Sequence, residues 1–576
     1  MSKVNLTGQY IEIRARADEA AFLHLLDNVD DIYPVPRRKD TYRCSRRKLP
    51  EVLLYLKGIA EPKGLPAAFE KAYNDEILRR TMTAELKQNG TTVQYPGLWK
   101  HQNLGVELAR YNSRYNFYYD TRTGKTRMSY QIILNALKEG RAKRALVLAP
   151  AMIIQDWLHD AEEFPELKVV AYYMNDLQKY NALHSPSHVV LWSLGTFVDE
   201  LELIQRIGFD MVVFDESSKL KSYRTKTAQA ALELSTQVNM WYNLSATPAP
   251  NGEQEYWIQM LCLDRYAFNP VRTHFVNRFF DNYSNNKNYE KLHLRPTMQK
   301  AFMDVIEDYS IYVDQSVMPM AQKIWHTITF HLGPDTWELY KTMATDSFVE
   351  IVGKEPQEEI DCEGYVIAAS QAVAVRSKLN QIASNFIMDT EAIKENRYNR
   401  MLKQDATMQE VYSVGSGERL AALRKLIDGL LQAEPRASII IWAYYAAEFR
   451  DIERMLEGDT FRTVRGGTTS RDKESAIADF RAGRCRFLLA HPLSIGMGIN
   501  LTRAHHAIYY SINDSWESFK QSSERICGHI KVQPHDCHYW VIQAEGTVNE
   551  LIYQNVASKR DASTGLLEHL KAVSLA

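Results

Sequence analysis

The sequence predicts an α/β protein: two halves built on parallel sheets, joined by a mainly helical segment and preceded by a small α+β module. Three observations predict it. Short, continuously apolar runs alternate with amphipathic stretches from about 95 to 265 and again from about 418 onward. Strands covered by helices on both faces read that way. Several runs end in residues that carry chemistry, namely Asp120, Pro150, Asp215, Glu216, Ser245 and Thr247, as expected where ligands bind at the carboxyl ends of parallel strands. Finally, 576 residues exceed what one hydrophobic core supports, so roughly three to four domains are expected.

Taken in order, residues 1–64 show a strand at 10–15, a helix at 18–29, short basic β-like pieces and a helix opening at Pro50, a small basic α+β module. Residues 65–94 read as a helical connector. The first α/β half, 95–265, has strand-like runs at 116–120, 144–150, 168–173, 188–193, 210–216 and 240–247. Residues 266–410 lose the alternation and read as a mainly helical insertion or linker. The second half, 411–562, has runs at 437–445, 460–464, 485–492, 506–512 and 538–544, and 563–576 forms a C-terminal tail.

Lys plus Arg number 69 and Asp plus Glu 71, a net charge of −2. That excludes a histone-like cationic protein but not a nucleic-acid partner, since a local basic stripe is enough. No apolar run reaches the ~18–20 residues of a membrane span, and the N-terminus lacks a signal-peptide core. Six cysteines without a CxxC pair argue against a disulfide framework and a zinc ribbon. His505 and His506 stand before an apolar run without a metal-ligand partner pattern and read as structural. A cytoplasmic enzyme, with no membrane and no metal cluster, is the expectation.

The first chemical motif runs from Asp120 to Thr126, with Thr123, Gly124, Lys125 and Thr126 between a strand and a helix. A glycine turn leading into a helix N-terminus leaves backbone N–H groups facing a phosphate. Lys125 would reach the β- and γ-phosphates, and the Thr126 hydroxyl would ligate Mg²⁺. The first glycine of the usual pattern is missing, since Tyr119 stands there, so a surface turn is the alternative. Asp215 and Glu216 end another apolar run. Asp215 would hold Mg²⁺ and Glu216 would polarise an attacking water; the alternative for an isolated pair is a helix cap. The order of the phosphate loop, the acidic pair and Ser245-Ala-Thr-Pro248 favours the chemical reading.

These motifs resemble those of superfamily 2 helicases, and their flanks resemble the Swi/Snf-like DNA-dependent ATPases, especially compact phage-type versions. LWKHQNLGVELA at 98–109 is similar to the segment that precedes the phosphate loop in that family; VLAPAMIIQDWLHDAEEF at 147–164 resembles motif Ia, and SATPAPNG at 245–252 motif III. In the second half, 439–445, 461–483, 487–511 and 521–532 are similar to motifs IV to VI. Motif V departs at Ile495 to Gly498. In motif VI, Arg525 matches the first arginine, but Gly528 stands at the second, and Ile530 and Lys531 replace Gly-Gln.

The resemblance implies two RecA-like lobes that share ATP and Mg²⁺. It implies adenine recognition by Gln102, phosphate and magnesium binding by Thr123, Gly124, Lys125, Thr126 and Asp215, catalysis by Glu216 with Lys125 and Asp215, and lobe-two contributions from Gly498 and Arg525. The implied activity is a DNA-dependent ATPase: a monomeric translocase moving on double-stranded or branched DNA and remodelling it, in the host cytoplasm if of phage origin. The alternatives are a strand-separating helicase and a nucleotide-gated DNA-binding scaffold. Implied DNA contacts are Pro150, Thr247, Asn251 and Thr502. Seven basic residues between 37 and 48 add Arg37, Arg38, Arg46 and Arg47 as backbone contacts.

Overall fold

A computed structural model describes residues 3–60, 63–172, 186–250, 252–283, 292–341, 343, 376–388, 411–413, 417–495 and 499–557. Asn251 and Gly498 lie outside them. The chain divides into two compact units, one up to Val317 and one from Met318.

The first unit opens with strands β1 (Lys3–Leu6), β2 (Tyr10–Arg14), β3 (Tyr33–Pro34) and β4 (Thr41–Ser45), in sheet order β1-β2-β4-β3, and helices α1 (Ala20–Asn28) and α2 (Leu49–Lys57). Alternation drives the packing: Ile11 and Ile13 of β2 are buried with Phe22, Leu25, Val52 and Leu53. Helix α3 (Ala67–Asn89) follows.

Seven described strands then form one parallel sheet. They are β5 (Arg114–Tyr119), β6 (Ala145–Ala149), β7 (Val169–Tyr172), β8 (Val189–Ser193), β9 (Met211–Asp215), β10 (Met240–Leu244) and β11 (Ser310–Val313), in the order β11-β5-β10-β9-β6-β8-β7. Helices α4 (Lys100–Tyr111), α5 (Lys125–Lys138), α6 (Ile154–Ala161), α7 (Tyr256–Leu263) and α8 (Gln299–Asp308) flank it. The apolar cluster on one face includes Phe117, Val147 and Val213; that on the other includes Leu146, Val212 and Trp241. Burial on both faces explains why these strands read as unbroken apolar runs.

The second unit contains a six-stranded parallel sheet: β12 (Lys323–Phe330), β13 (Ile439–Trp442), β14 (Phe461–Val464), β15 (Phe487–Ala490), β16 (His506–Tyr509) and β17 (Cys537–Ala544), ordered β12-β17-β16-β13-β15-β14. Helices α9 (Glu418–Ala433), α10 (Ala446–Met455), α11 (Ser470–Arg481) and α12 (Trp516–Ser523) accompany it. Each unit contains one RecA-like lobe built on its parallel sheet.

The segment expected to be a mainly helical insertion holds helices Arg272–Phe279 and Gln299–Asp308 among its described residues, and strands as well. Its described part supplies β11, paired with β5, and β12, paired with β17 along eight residues. Tyr115, Phe117 and Tyr119 on β5 are buried, and β11 covers that otherwise open edge.

Candidate nucleotide-binding site

Strands β5, β10 and β9 are neighbours, and their carboxyl ends carry the phosphate loop, Ser245-Ala-Thr-Pro248 and the acidic pair. The sheet order therefore brings together motifs separated by about ninety residues of chain. Gly124 caps α5 with φ +77°, a conformation suited to glycine. A Cβ there would fall 1.9 Å from Gln102 Nε2, so the loop is closed tightly over α4. Gly105 allows this approach: a Cβ on it would meet Met128 Sδ at 2.2 Å.

Lys125 Nζ donates to the carbonyls of Tyr119 (3.0 Å) and Asp120 (3.2 Å). The Thr123 hydroxyl donates to the Asp120 carbonyl at 2.7 Å. Thr126 follows on the first turn of α5 and is half-buried. Gln102 is 1% exposed. Its amide accepts from Trp99 N at 2.8 Å and donates to the carbonyls of Thr123 and Gly124, both at 3.1 Å. The residue expected to read adenine thus braces the phosphate loop. His101 Nε2 lies 2.8 Å from the same Thr123 carbonyl. A carbonyl only accepts, so Nε2 carries the proton.

Asp215 is buried at the end of β9, accepting from Trp157 Nε1 at 2.9 Å and from the Glu216 amide at 3.0 Å. Burial pushes its carboxyl up, and the nearby Lys125 ammonium and these two hydrogen bonds offset part of that. Lys125 and Asp215 are therefore close enough to interact. Glu216 has φ +60°, which is uncommon outside glycine and asparagine and costs of order 1–3 kcal/mol.

Sequence reasoning passed over three residues that organise this site. Trp157 holds Asp215 and packs against Tyr130 with ring centroids 5.2 Å apart. His101 braces the loop. Gln259, fully buried on α7, accepts from Ser217 Oγ at 2.7 Å and donates to the Pro248 carbonyl at 2.7 Å. It thereby joins the residue after Glu216 to motif III. The tryptophan in motif Ia was a visible signal; Gln259 gave none, because a lone glutamine in an apolar helix has no pattern.

The second unit places Arg525 largely buried, with Nη1 3.5 Å from the Ile499 carbonyl. Gly528 accepts from Ala321 N at 2.9 Å. Gln533 donates to Thr502, Ala504 and Ile526 carbonyls at 2.9, 2.8 and 3.2 Å, tying motif V to motif VI.

Of the expected DNA contacts, Pro150 and Thr247 follow β6 and β10 on the loop edge of the first sheet, and both are half-buried, as is Thr502. In the N-terminal module, Arg37 and Arg46 are exposed, and Arg38 is exposed and paired with Glu12 at 3.5 Å. Arg47 is different. It donates to both the carbonyl and carboxylate of Asp308 at 2.7 Å, and its guanidinium sits 3.5 Å from the Tyr309 ring centroid. Arg47 fastens the module to α8, and its basic charge is spent inside the unit.

Residues 101–388 match the SNF2-related domain, half of the chain. The chain belongs to the SNF2-related family. In this SNF2-related chain, residues 418–527 also match the helicase conserved C-terminal domain. Among its relatives, putative protein p41 of Acyrthosiphon pisum secondary endosymbiont phage 1 is 24% identical, over 78% of this chain and 93% of that protein. The putative ATP-dependent helicase/translocase YwqA of Bacillus subtilis (strain 168) is 20% identical over 78% of this chain and 46% of its own length. DNA repair and recombination protein RAD54B of Gallus gallus is 20% identical over 77% and 50%. The chain thus spans about half the length of these last two. The solved Sulfolobus solfataricus SWI2/SNF2 ATPase core in complex with dsDNA aligns at 18% identity and TM-score 0.37, over 84% of this chain and 97% of that one. SNF2-related ATPase activity, with ATP as its substrate, follows from family membership.

Proposed function

We propose that this SNF2-related ATPase is a translocase on double-stranded DNA that remodels branched or protein-bound DNA. The observation that carries the reading is the convergence of Lys125, Asp215 and motif III on three adjacent strand ends. Names of relatives that include a helicase/translocase and a DNA repair and recombination protein support it. In this reading it acts as a monomer in the cytoplasm, that of the host if the chain is of phage origin. Among the described residues no helix is long and apolar enough to cross a membrane.

The residues fit ATP and Mg²⁺: the left-handed glycine turn leaves room for backbone N–H donors, and Lys125 rests on carbonyls it can exchange for phosphate oxygens. Thr126 and Asp215 would hold Mg²⁺, which neutralises charge on the phosphates when bound. Glu216 orients the attacking water and takes its proton. Arg525 supplies positive charge to the γ-phosphate, and Gly498 is assigned to nucleotide binding with it. Gln102, which braces the loop, adjusts it to the bound adenine. Pro150, Thr247, Asn251 and Thr502 are assigned to DNA phosphates through hydroxyl, amide or backbone groups, which fix register without reading sequence. Arg37, Arg38 and Arg46 add charge from the N-terminal module. Displacement of a third strand from a triplex by the intact chain tests translocation. ATP-dependent displacement, lost in Lys125→Ala, is expected. ATP hydrolysis with neither displacement nor strand separation rejects the translocase. Gly528 at the second motif VI position gives weight to one other reading, a nucleotide-gated scaffold, which requires DNA binding that responds to ATP without appreciable turnover.

A further inference from the structure

Five of the chain's 16 histidines gather at the amino edge of the second sheet. This is the end opposite the strand termini that lead into motifs IV to VI. His505 immediately precedes β16, and His506 begins it. The ring of His535 lies 5.0 Å from that of His505, and His538 lies 5.3 Å from both His506 and His326. Glu434, which caps the carboxyl end of α9, turns its carboxylate into this group. Its Oε2 is 2.8 Å from His505 Nε2 and 3.5 Å from His506 Nε2. One ligand atom from each of the three residues lies within 4.8 Å of the others.

We propose that Glu434, His505 and His506 form a binding site for one zinc-class divalent cation. Two imidazole nitrogens and one carboxylate oxygen are a donor set that zinc uses, leaving a position for water or a further ligand. Imidazoles select such borderline metals over Mg²⁺ and Ca²⁺, which prefer oxygen donors. The carboxyl end of α9 adds negative potential beside the cation. His505 and His506 have side-chain exposures of 12% and 9%, and Glu434 of 44%, so the rings are held while the carboxylate side is open to solvent. Glu434 lies 71 residues from His505, so no local spacing pattern marks the group.

Coordination through Nε2 requires each ring to carry its proton on Nδ1. For His506 this opposes the present contact, in which Trp540 Nε1 donates to Nδ1 at 3.3 Å. The long indole hydrogen bond yields when the metal binds. The ion would tie the end of α9 to the start of β16, so its stabilising effect belongs to the second unit and is independent of ATP.

The test uses the tag-free, full-length protein, stripped with EDTA and titrated calorimetrically with Zn²⁺ in a Mg²⁺-containing buffer. One saturable equivalent and a zinc-dependent rise in melting temperature are expected. Glu434→Ala and His505→Ala should each weaken binding by roughly tenfold or more, whereas Lys125→Ala should bind normally. Glu434→Gln and His505→Asn keep hydrogen-bonding capacity and serve where an alanine variant does not fold; they too should lose affinity. Absence of saturable zinc binding, or equal affinity in folded Glu434 and His505 variants, overturns the proposal.

Discussion

Lys125 Nζ donates to two backbone carbonyls and lies in the field of Asp215. Lys125→Ala should abolish ATP turnover with little loss of fold. Glu216→Gln should also stop turnover while ATP still binds, since the loop is untouched; phosphate release and nucleotide-binding titrations separate the two. Arg525→Ala should reduce kcat by about 10³-fold and change nucleotide affinity much less; an unchanged kcat assigns the finger role elsewhere. Gln259 gives a sharper prediction because its two ends do different things. Gln259→Glu keeps an oxygen acceptor for Ser217 but loses the donor to Pro248, whereas Gln259→Leu loses both and costs about 1–3 kcal/mol. Both should lower the DNA-stimulated kcat more than KM for ATP, and a uniform loss of stability alone in both would contradict a positioning role. At this scale the sequence singled out Lys125, Asp215 and Glu216 as candidates, because each motif states its chemistry in consecutive residues. It could not reveal what Gln102, Trp157 or Gln259 touch, because their partners come from loops and strand ends distant in the chain.

The N-terminal module is fastened by a polar seam. Arg47 and Arg79 meet Asp308, Ser45 Oγ donates to Asp264 Oδ2 at 2.5 Å, and Tyr10 packs on Tyr266 at 5.3 Å. Burial pushes the Asp308 carboxyl up, but Arg47 and Arg79 outweigh it and hold the group well below the usual carboxylate range. A depressed folded-state value stabilises above the unfolded value of about 3.9 and is lost as pH falls below it. Docking of the module should therefore persist down to about pH 4 and loosen at lower pH, read by limited proteolysis between the module and α3. Arg47→Ala should cost about 1.5–3 kcal/mol and expose the same cleavage at neutral pH. The triple change of Arg37, Arg38 and Arg46 to Ala should leave the fold and basal ATPase intact. If those residues meet phosphates, it flattens the log–log salt dependence of duplex binding by roughly two to three units; an unchanged slope makes them solvated surface. Seven basic residues in one stretch were legible, but the division between exposed and fastened arginines was not, since Asp308 lies 261 residues from Arg47.

For the molecule as a whole, two α/β halves could be read from the alternation of apolar runs and helices. The division at Val317 and Met318 could not. Strand β11 has only four residues after a helix, and β12 is half-buried from Lys323 to His326 and alternates exposed with half-buried positions only from Thr327 to Phe330; neither has the unbroken apolar run that marked the central strands. Edge strands are specified largely by the neighbours they cover. The motifs nevertheless assign nucleotide chemistry to the first unit and the conserved helicase C-terminal segment to the second. The most direct measurement of the account is the ATPase rate of the intact chain with and without double-stranded DNA, alongside Lys125→Ala. The account predicts turnover that rises severalfold or more with duplex DNA and vanishes in the variant. A wild-type rate that is indifferent to DNA, or one that survives loss of Lys125, contradicts it.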